Sequence, residues 1–473
     1  MRLEISGMEF LYVKDIMIHR KVNTHAVCEV KLLIAKEFTD SVNVCKDLIS
    51  KTISLIAIDD LKGIEKTIFS GYIEKVQLDT SVRRNYIILK CYSNSKKDDI
   101  EKYTNLFQNI EKTIGNMIEN LSFVSDITFL EKEIQTTNIY EPILQNEETK
   151  FEFLKRMIRK QNKICMAESL LASTKIWVGN RKGNQYQLKE DCFEMIFDMG
   201  SEQVNISLHN EFYELGDQIQ ILSKQYYIVE NKIRYKDGIC YCDYILIDDY
   251  NKIVQEENQW IDRKLLGIVV ENKDKEYVGR LQIKFQEEKQ GRGENYWYKV
   301  LSPYVSNDTG FYMMPSKGDT VIVQFTDNIE PYVIGSMREK GHENFENPNH
   351  LFIKNEFGKE LNMTEKEINL VSLFNQVFLS LSEEKIEISN GNTGIYIEKD
   401  RITLQNEKSL FVIDDKLTLV KDDGGEVIIE DKIKMNTKES SVTLSSNIEL
   451  QTKENVSIKA SNIKAESSNI KIK

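Results

Sequence analysis

Hydrophobic and polar residues alternate along most of the chain, and this spacing predicts a protein built mainly from β-strands. Residues 1–100 are expected to be strands, the clearest at 51–60, 69–79 and 85–93, where turn residues bound each run. Later alternating runs predict strands at 203–208, 218–222, 225–235 and 239–247.

Two segments have helical spacing instead. A helix is predicted at 104–121 because apolar residues recur there every third or fourth position, and a second is predicted at 149–161. The apolar positions are Leu106, Ile110, Ile114, Ile118 and Leu121 in the first segment, and Phe151, Leu154 and Ile158 in the second.

A compact group of short strands follows over 264–337. Its runs are LLGIVVEN, GRLQIKFQ, YWYKVLSPYV, DTVIVQF and PYVIGS, separated by polar or glycine-rich turns such as EEKQGRGEN. Five strands in so short a segment predict a small closed barrel, because curling the sheet removes its edges.

From about residue 351 the pattern becomes periodic. Between 386 and 473, pairs of apolar residues at i and i+2 recur at a mean step of about 7.6 residues, which indicates a repeat architecture. The pairs are Ile386/Ile388, Ile395/Ile397, Ile402/Leu404, Leu410/Val412, Leu417/Leu419, Val427/Ile429, Ile433/Met435, Val442/Leu444, Ile448/Leu450, Val456/Ile458, Ile463/Ala465 and Ile470/Ile472.

Each pair predicts one short strand whose two apolar side chains share a face, since alternate residues of a strand point to opposite sides. A repeat of seven or eight residues makes only one wall and cannot enclose a core. Three chains, each supplying a wall in turn about a common axis, would close it as an intertwined trimeric β-helix with paired strand edges. A ladder starting near 351 would form a shaft on the order of 75 Å long. The alternative is a solvent-facing antiparallel sheet, which explains the alternation but not the constant step.

This hypothesis assigns residues to the needle core and trimer interface, and to the tip. The core and interface residues are Ile395, Ile397, Ile402, Leu404, Leu417, Leu419, Val427, Ile429, Val442, Leu444, Ile448, Leu450, Val456 and Ile458. At the C-terminal tip, Ile470, Ile472 and Lys473 would offer an unpaired strand edge and a small apolar plug to a separate tip protein.

Composition narrows the class of function. The 473 residues are 41% hydrophobic and 29% charged, which favours a soluble, core-forming chain of about three domains. The net charge of −12 argues against nucleic-acid binding. MRLEISGMEF predicts no signal peptide, and the longest apolar run, ISLIAI at 53–58, is too short to span a membrane. Seven scattered cysteines indicate reduced thiols in a protein made in the cytoplasm.

Motifs for catalysis or metal binding are not found. His342-Glu343 is not followed by the second histidine of HExxH, because Glu346 holds that position. The spacing Cys240-x-Cys242 predicts two cysteines buried on one face of a strand rather than a zinc site. The five histidines show no spacing typical of a catalytic triad, and the GxSxG motif of a nucleophilic serine is not present. We therefore predict no catalytic, cofactor-binding or metal residues. Five pairs of adjacent acidic residues are predicted to have turn roles. They stand at 59–60, 98–99, 248–249, 414–415 and 422–423.

The stretch LGIVVENKDKEYVGRLQIKF, followed by WYKVLSPYVSNDTGFYMMPSKGDTVIVQFTDNIEPYVIGSM, resembles the OB-fold domain of VgrG proteins and contractile-phage central spikes. Residues at the family's motif positions include Gly279, Arg280, Pro315, Gly318, Asp319 and Gly335. The sequence departs from the family at Lys275, where a proline is usual, and at Tyr304-Val305, where the family has Ala-Gly. The flanks 146–169 and 352–372 are similar to the family's hub signature and needle entry.

The resemblance implies a mainly β protein with minor α content. Its expected parts are a hub or tail-tube adaptor domain with β-barrels at 1–260, an OB-fold barrel at 261–340, and a trimeric β-helix needle at 341–473.

The function that the resemblance implies is that of a structural spike in a contractile injection machine, such as a type VI-like secretion system or a phage tail. The expected partners are two further copies of the chain, inner-tube and baseplate proteins at the hub, and a PAAR-like tip protein or effector at the C-terminus. The spike would leave the cell on firing, meet the target membrane only transiently, and need no cofactor. The alternative is a β-helical tailspike enzyme that acts on cell-surface polysaccharide.

Overall fold

The computed structural model describes residues 2–6, 12–34, 38–59, 63–80, 85–188, 193–198, 201–221, 223–236, 238–253, 261–288, 296–307, 309–327, 329–341, 345–372 and 377–444, together with 457, 462 and 464. The chain divides into two compact units, Met1–Glu339 and Lys340–Lys473. Strands predominate in both, so the mainly β fold class is confirmed.

The N-terminal unit begins with strands and one helix. These are β1 (Arg2–Ile5), β2 (Tyr12–Lys21), β3 (Val27–Ile34), α1 (Phe38–Leu48), β4 (Thr52–Asp59), β5 (Ile64–Asp79) and β6 (Asn85–Tyr92). The strands predicted at 51–60, 69–79 and 85–93 are confirmed. The expectation that all of 1–100 is strand was wrong, because α1 and a 3₁₀ helix at Asn94–Asp99 lie within it.

A mixed section follows. It contains β7 (Lys102–Phe107), α2 (Ile114–Asn120), β8 (Asp126–Phe129), α3 (Lys132–Thr136), β9 (Ile143–Thr149), α4 (Lys150–Arg159), β10 (Cys165–Ala167) and β11 (Lys175–Val178). The helix at 149–161 is confirmed as α4. The helix at 104–121 was wrong in its first half, where β7 pairs with β9 and helical structure starts only at Ile114.

The unit then returns to strands. They are β12 (Gln185–Gln187), β13 (Phe193–Asp198), β14 (Ser201–His209), β15 (Gln218–Ile221), β16 (Lys224–Lys236) and β17 (Ile239–Ile247), followed by a 3₁₀ turn at Tyr250–Lys252. The strands predicted between 203 and 247 are confirmed. One large sheet joins the strands of β1–β6 to those of β12–β17. Its order is β1-β4-β5-β6-β3-β2-β16-β17-β14-β13, and in addition β15 pairs with β16 and β12 pairs with β15.

A closed barrel completes the N-terminal unit and confirms the five predicted strands. They are β18 (Asp262–Glu271), β19 (Arg280–Phe285), β20 (Trp297–Val300), β21 (Thr320–Thr326) and β22 (Tyr332–Met337), in the order β18-β19-β20-β22-β21. Leu106 of β7 and Leu144 of β9 belong to the barrel's core. Tyr298 donates a hydrogen bond of 2.8 Å to Gln108 Oε1, so the barrel is joined to the preceding section by buried contacts.

The C-terminal unit is a ladder of short antiparallel strands. They are β23 (Leu351–Lys354), β24 (Glu360–Met363), β25 (Glu367–Ser372), β26 (Val377–Ser382), β27 (Lys385–Asn390), β28 (Thr393–Glu398), β29 (Arg401–Gln405), β30 (Ser409–Ile413), β31 (Leu417–Lys421), β32 (Glu426–Ile429), β33 (Ile433–Asn436) and β34 (Ser441–Leu444). Each strand pairs with the next one along the chain.

This pairing differs from the intertwined path that we predicted. Within the described strands, hydrogen bonds run between successive strands of one chain, as in the antiparallel-sheet alternative. Tight turns such as Asn390–Thr393, with Gly391 at φ +61°, allow each strand to fold back on the one before it. One chain therefore builds a continuous wall.

Candidate functional site: an apolar sheet face

The candidate site is one face of the C-terminal sheet. Cross-strand register aligns the apolar pairs, since Ile388 lies opposite Ile395 and Ile395 opposite Leu404. We call the resulting surface the apolar face. It consists of Leu351, Ile353, Leu361, Met363, Ile368, Leu370, Leu379, Leu381, Ile386, Ile388, Ile395, Ile397, Ile402, Leu404, Phe411, Ile413, Leu417, Leu419, Val427, Ile429, Ile433, Met435, Val442 and Leu444.

The apolar face is uncovered in the single chain. Ile395 is 37% exposed and Val442 is 52% exposed, although both lie in the middle of regular strands. A groove of about 810 Å³ follows the face past Ile395, Leu419 and Met435. Among the described residues of this unit, Val412 is the only hydrophobic residue that is fully buried. A sheet of this kind has one wall of a core and lacks the others.

The structure brings most of the predicted needle residues together on this face. From Ile395 to Leu444, all ten predicted core residues in the described part of the chain belong to it. Four further predicted core residues, Ile448, Leu450, Val456 and Ile458, lie outside the described residues, as do the tip residues Ile470, Ile472 and Lys473.

One predicted pair was wrong. In β30, Leu410 and Val412 point away from the apolar face, because Leu404 lies opposite Phe411 and Ile402 opposite Ile413. The run LFVI is apolar on both sides of the strand, so its own sequence does not distinguish the two faces. The register of the neighbouring strands decides, and Phe411 and Ile413 are the residues that were missed.

The barrel motif residues form turns and ion pairs. Arg280 donates to both carboxylate oxygens of Asp274, from Nε at 2.8 Å and Nη2 at 2.9 Å. Asp274 also accepts backbone hydrogen bonds from Glu276 and Val278. The hydrogen bonds from Arg280 hold the pKa of Asp274 well below its usual range. Gly279, at φ +80°, lets the chain turn immediately before Arg280.

The second motif segment makes a tight turn against β18. Gly318, at φ +93°, donates its N–H to the Val269 carbonyl at 2.8 Å, and the Asp319 carboxylate accepts from the Ser316 N–H at 2.8 Å. The Pro315 carbonyl accepts a hydrogen bond from Asn272. Gly335 lies beside a β-bulge in β22. These residues stabilise the barrel's loops and form no pocket for chemistry.

A serine, a histidine and an aspartate also come together, which the sequence spacing did not reveal. His25 Nδ1 lies 2.8 Å from Ser95 Oγ, and His25 Nε2 lies 3.5 Å from Asp99 Oδ2. Ser95 is fully buried and His25 packs on Phe151, with ring centroids 4.0 Å apart, so no substrate could reach the hydroxyl. Burial lowers the pKa of His25. The cluster fastens the β2–β3 turn to the 3₁₀ helix at Asn94–Asp99, and the ring contact fastens it to α4.

The remaining sequence candidates have structural roles. Asp249 and Asp414 accept from the N–H groups two positions later, as turn residues do. The turn role predicted for Asp98 was wrong, because its carboxylate accepts from the Val124 and Ser125 N–H groups, which are distant along the chain. Cys240 and Cys242 are buried in β17, and burial raises their pKa values to about 12 and about 11. Within the ranges that the structure covers, no cluster of potential metal ligands occurs. No helix there is long and apolar enough to cross a bilayer.

Comparison with known families identifies the barrel. Residues 265–337 match the type VI secretion system/phage-baseplate injector OB domain. Curated protein sequences give no match to the chain.

Solved structures share the fold over most of the chain. One is the E. coli c3393 protein, described as a type VI secretion system component with structural similarity to the T4 bacteriophage tail proteins gp27 and gp5. It has 10% sequence identity and a TM-score of 0.51, over 71% of this chain and 100% of that chain. The Francisella PdpA-VgrG complex in its lidded form has 8% identity and a TM-score of 0.52, and the match covers 91% of this chain and 76% of that chain. Its lidless form has 9% identity and a TM-score of 0.50, and the match covers 91% of this chain and 94% of that chain.

The resemblance to VgrG proteins and contractile-phage spikes is therefore confirmed. It combines an injector OB domain at 265–337 with a fold that these structures share over most of the chain.

Proposed function

We propose that this chain is the structural spike of a contractile injection machine and that it works as a homotrimer. The observation that carries the proposal is the uncovered apolar face, which directly follows an OB domain of the injector type. In this proposal, residues 1–260 form the hub that caps the inner tube, 261–340 form the collar, and 341–473 form the needle.

The physical argument for three copies starts from the open face. Moving a large apolar side chain from water into a core contributes about 1.5–3 kcal/mol, and every described needle strand offers two such side chains. Two further copies would supply the missing walls of a three-sided prism. Twelve strands at about 4.8 Å spacing make each wall roughly 50 Å long.

The partners follow from this arrangement. The hub would bind inner-tube and baseplate proteins, and the tip residues Ile470, Ile472 and Lys473 would bind a PAAR-like tip protein or an effector. The needle would meet the target membrane only in passing, after assembly in the cytoplasm and translocation on firing. The spike needs no active site, because sheath contraction supplies the work.

The test is the solution mass of the full-length chain, by light scattering after size exclusion. A mass of about three times the 55.1 kDa chain is expected, and a monomer would overturn the proposal. Met435→Glu, on the apolar face, should abolish the trimer because it buries three unpaired charges. Lys434→Glu, on the opposite face of the same strand, is the matched control and should leave the trimer intact. Release of oligosaccharides from surface polysaccharide would instead support the tailspike alternative.

A further inference from the structure

A pocket of about 350 Å³ lies in the N-terminal unit. Strands β2, β14, β16 and β17 contribute to its walls, together with the C-terminal end of α4 and the 3₁₀ turn at Tyr250–Lys252. Its volume is within the range of pockets that hold ligands. Neither the barrel motif nor the C-terminal sheet contributes to it, so it is a separate site.

Positive charge dominates the walls of this pocket. Glu230 is the only acidic residue among the described residues of its lining. Such an excess of positive charge stands out in a chain whose net charge is −12. We call the site the basic pocket and define it by five cationic side chains, which are Lys21, Lys155, Arg159, Lys163 and Lys252.

The helix α4 places two of these cations side by side. Its apolar residues Phe151, Leu154 and Ile158 are buried in the core, so the opposite side faces outward. Lys155 and Arg159 are four positions apart, and like charges at that spacing repel each other. Basic residues also suit the C-terminal end of a helix dipole. That effect does not explain why lysines from β2 and from the 3₁₀ turn converge on the same pocket.

Two of the five cations have carboxylate partners on the protein. Lys163 Nζ contacts Glu131 Oε2 at 2.5 Å, and Lys252 Nζ contacts Asp248 Oδ2 at 2.8 Å. Their charges are therefore compensated inside the chain, and an occupant of the pocket is not needed to balance them.

The other cations are less well compensated, because Glu230 is already engaged. Its carboxylate contacts His19 at 2.9 Å and Lys232 at 3.1 Å, whereas Lys21 Nζ is 3.7 Å away. Burial alone would raise the pKa of Glu230, but the hydrogen bonds from Lys232 and His19 lower it on balance. Among the described residues, Lys155 has no ion-pair partner. The pocket thus keeps an excess of positive charge.

The floor of the basic pocket is apolar and its rim carries amides. Ile245 and Ile253 are half-buried at the floor, so part of their apolar surface remains in contact with water. The side chains of Asn162 and Gln203 have no hydrogen-bond partner among the described residues. An amide offers both a donor and an acceptor, as a peptide backbone does. The site therefore combines positive charge, an apolar surface and groups that can pair with a backbone.

We propose that the basic pocket binds an acidic peptide segment of a partner protein. An apolar side chain of that segment would cover Ile245 and Ile253, and its carboxylates would meet Lys21, Lys155 and Arg159. The inference deepens the proposed function, which names the partners of the hub only by role, and it rests on that function for the partner being a protein of the injection machine.

Charge complementarity and shape favour a peptide over other anions. Nucleic acids need an extended basic surface that follows a phosphate backbone, and this chain is acidic overall with its excess cations confined to one pocket. A small inorganic anion would satisfy the cations but leave the apolar floor and the two amides uncovered. An acidic segment with an apolar side chain satisfies all three features.

The test measures peptide binding to the full-length protein by fluorescence anisotropy. The probe is a labelled short peptide of alternating glutamate and leucine. Saturable binding is expected, and added salt should weaken it because the charges of the pocket rim are screened. A peptide of alternating glutamate and serine should bind about 5-fold more weakly, because it has no apolar side chain for the floor.

A matched pair of variants identifies the site. Lys155→Glu reverses a charge in the pocket and should weaken binding of the glutamate–leucine peptide by about 10-fold. Lys160→Glu makes the same change at an exposed position just beyond the end of α4, outside the pocket, and should change binding by less than about 2-fold. The circular dichroism melting curve of each variant verifies that it is folded.

The outcomes separate this inference from the proposed function. A trimeric mass without peptide binding, or with binding that both variants weaken equally, would overturn the basic pocket alone. This includes the case in which a neighbouring copy already covers the pocket. Displacement of the peptide by inorganic phosphate at equal concentration would identify a small-anion site and also overturn the inference.

A monomeric mass would overturn the spike proposal and, with it, the assignment of the partner to an injection machine. A trimer that binds the peptide, with binding weakened by Lys155→Glu and spared by Lys160→Glu, supports both proposals.

Discussion

Asp274 is the residue on which the first turn of the OB barrel depends. Its side chain is almost fully buried, and it accepts two hydrogen bonds from Arg280 and two from the backbone. We expect Asp274→Asn to destabilise the β18–β19 hairpin by about 2–3 kcal/mol, because hydrogen bonds to a charged group are lost. Faster hydrogen exchange of the hairpin amides would show this.

The control for this prediction is Glu276→Gln. Glu276 contacts the same guanidinium at 2.8 Å but is 71% exposed, so its loss should cost less than about 1 kcal/mol. Equal effects of the two variants would contradict the assigned role of Asp274.

The contribution of Asp274 also depends on pH. Because folding depresses the pKa of Asp274, its stabilisation is complete above the ordinary value of about 4 and is lost as the pH falls through the depressed value. The difference between wild type and Asp274→Asn should therefore be constant near neutrality and shrink below about pH 4. A difference that shrinks as the pH rises would have the wrong sign.

At the scale of elements, α4 shows how a local signal determines a boundary. Thr149 accepts a hydrogen bond from the Glu152 N–H, and the Glu152 side chain accepts one from the Thr149 N–H. This capping box stands in the sequence as T-x-x-E, so the start of the helix was predictable to within one residue.

Removal of this cap should loosen the helix. We expect Thr149→Ala to destabilise α4 by about 1–2 kcal/mol, which raises the hydrogen-exchange rate of its first-turn amides on the order of 10-fold. The control is Thr136→Ala, which replaces an exposed helical threonine outside α4. It should change the exchange rate of the same α4 amides by less than about 2-fold. An unchanged rate in Thr149→Ala would show that the packing of Phe151 and Leu154 alone holds the helix.

Other elements could not be predicted because distant partners determine them. Leu106 and Phe107 fit a helical period, yet they lie in β7, whose partner β9 is some forty residues away and absent from any local window. The helix α1, FTDSVNVCKDL, has Val44, Cys45 and Leu48 at helical spacing on its core side, but the strand-like segments around it led to a strand prediction for the whole of 1–100. In β30 the neighbouring strands choose which face Leu410 and Phe411 occupy.

At the scale of the whole molecule, the sequence was most informative where one physical rule repeats. The alternation that predicted the needle strands recurs in every described strand of the C-terminal unit, so its apolar face was largely foreseen. The path between strands was not, because the same alternation fits strands that pair within one chain or between chains.

The two units should differ in how they depend on assembly. The N-terminal unit has its own cores, in the large sheet, around α4 and inside the barrel, whereas the C-terminal unit has one open apolar face. A fragment of residues 1–339 should therefore fold alone, with a cooperative thermal transition by circular dichroism.

A fragment of residues 340–473 should behave in the opposite way. Its single sheet cannot bury a core, so it should be folded only as a trimer and should unfold or aggregate when Met435→Glu blocks assembly. Light scattering and circular dichroism on the same samples would separate the cases. A folded monomer of 340–473 would mean that the sheet covers its own apolar face, and the needle would then lose the physical reason for three chains.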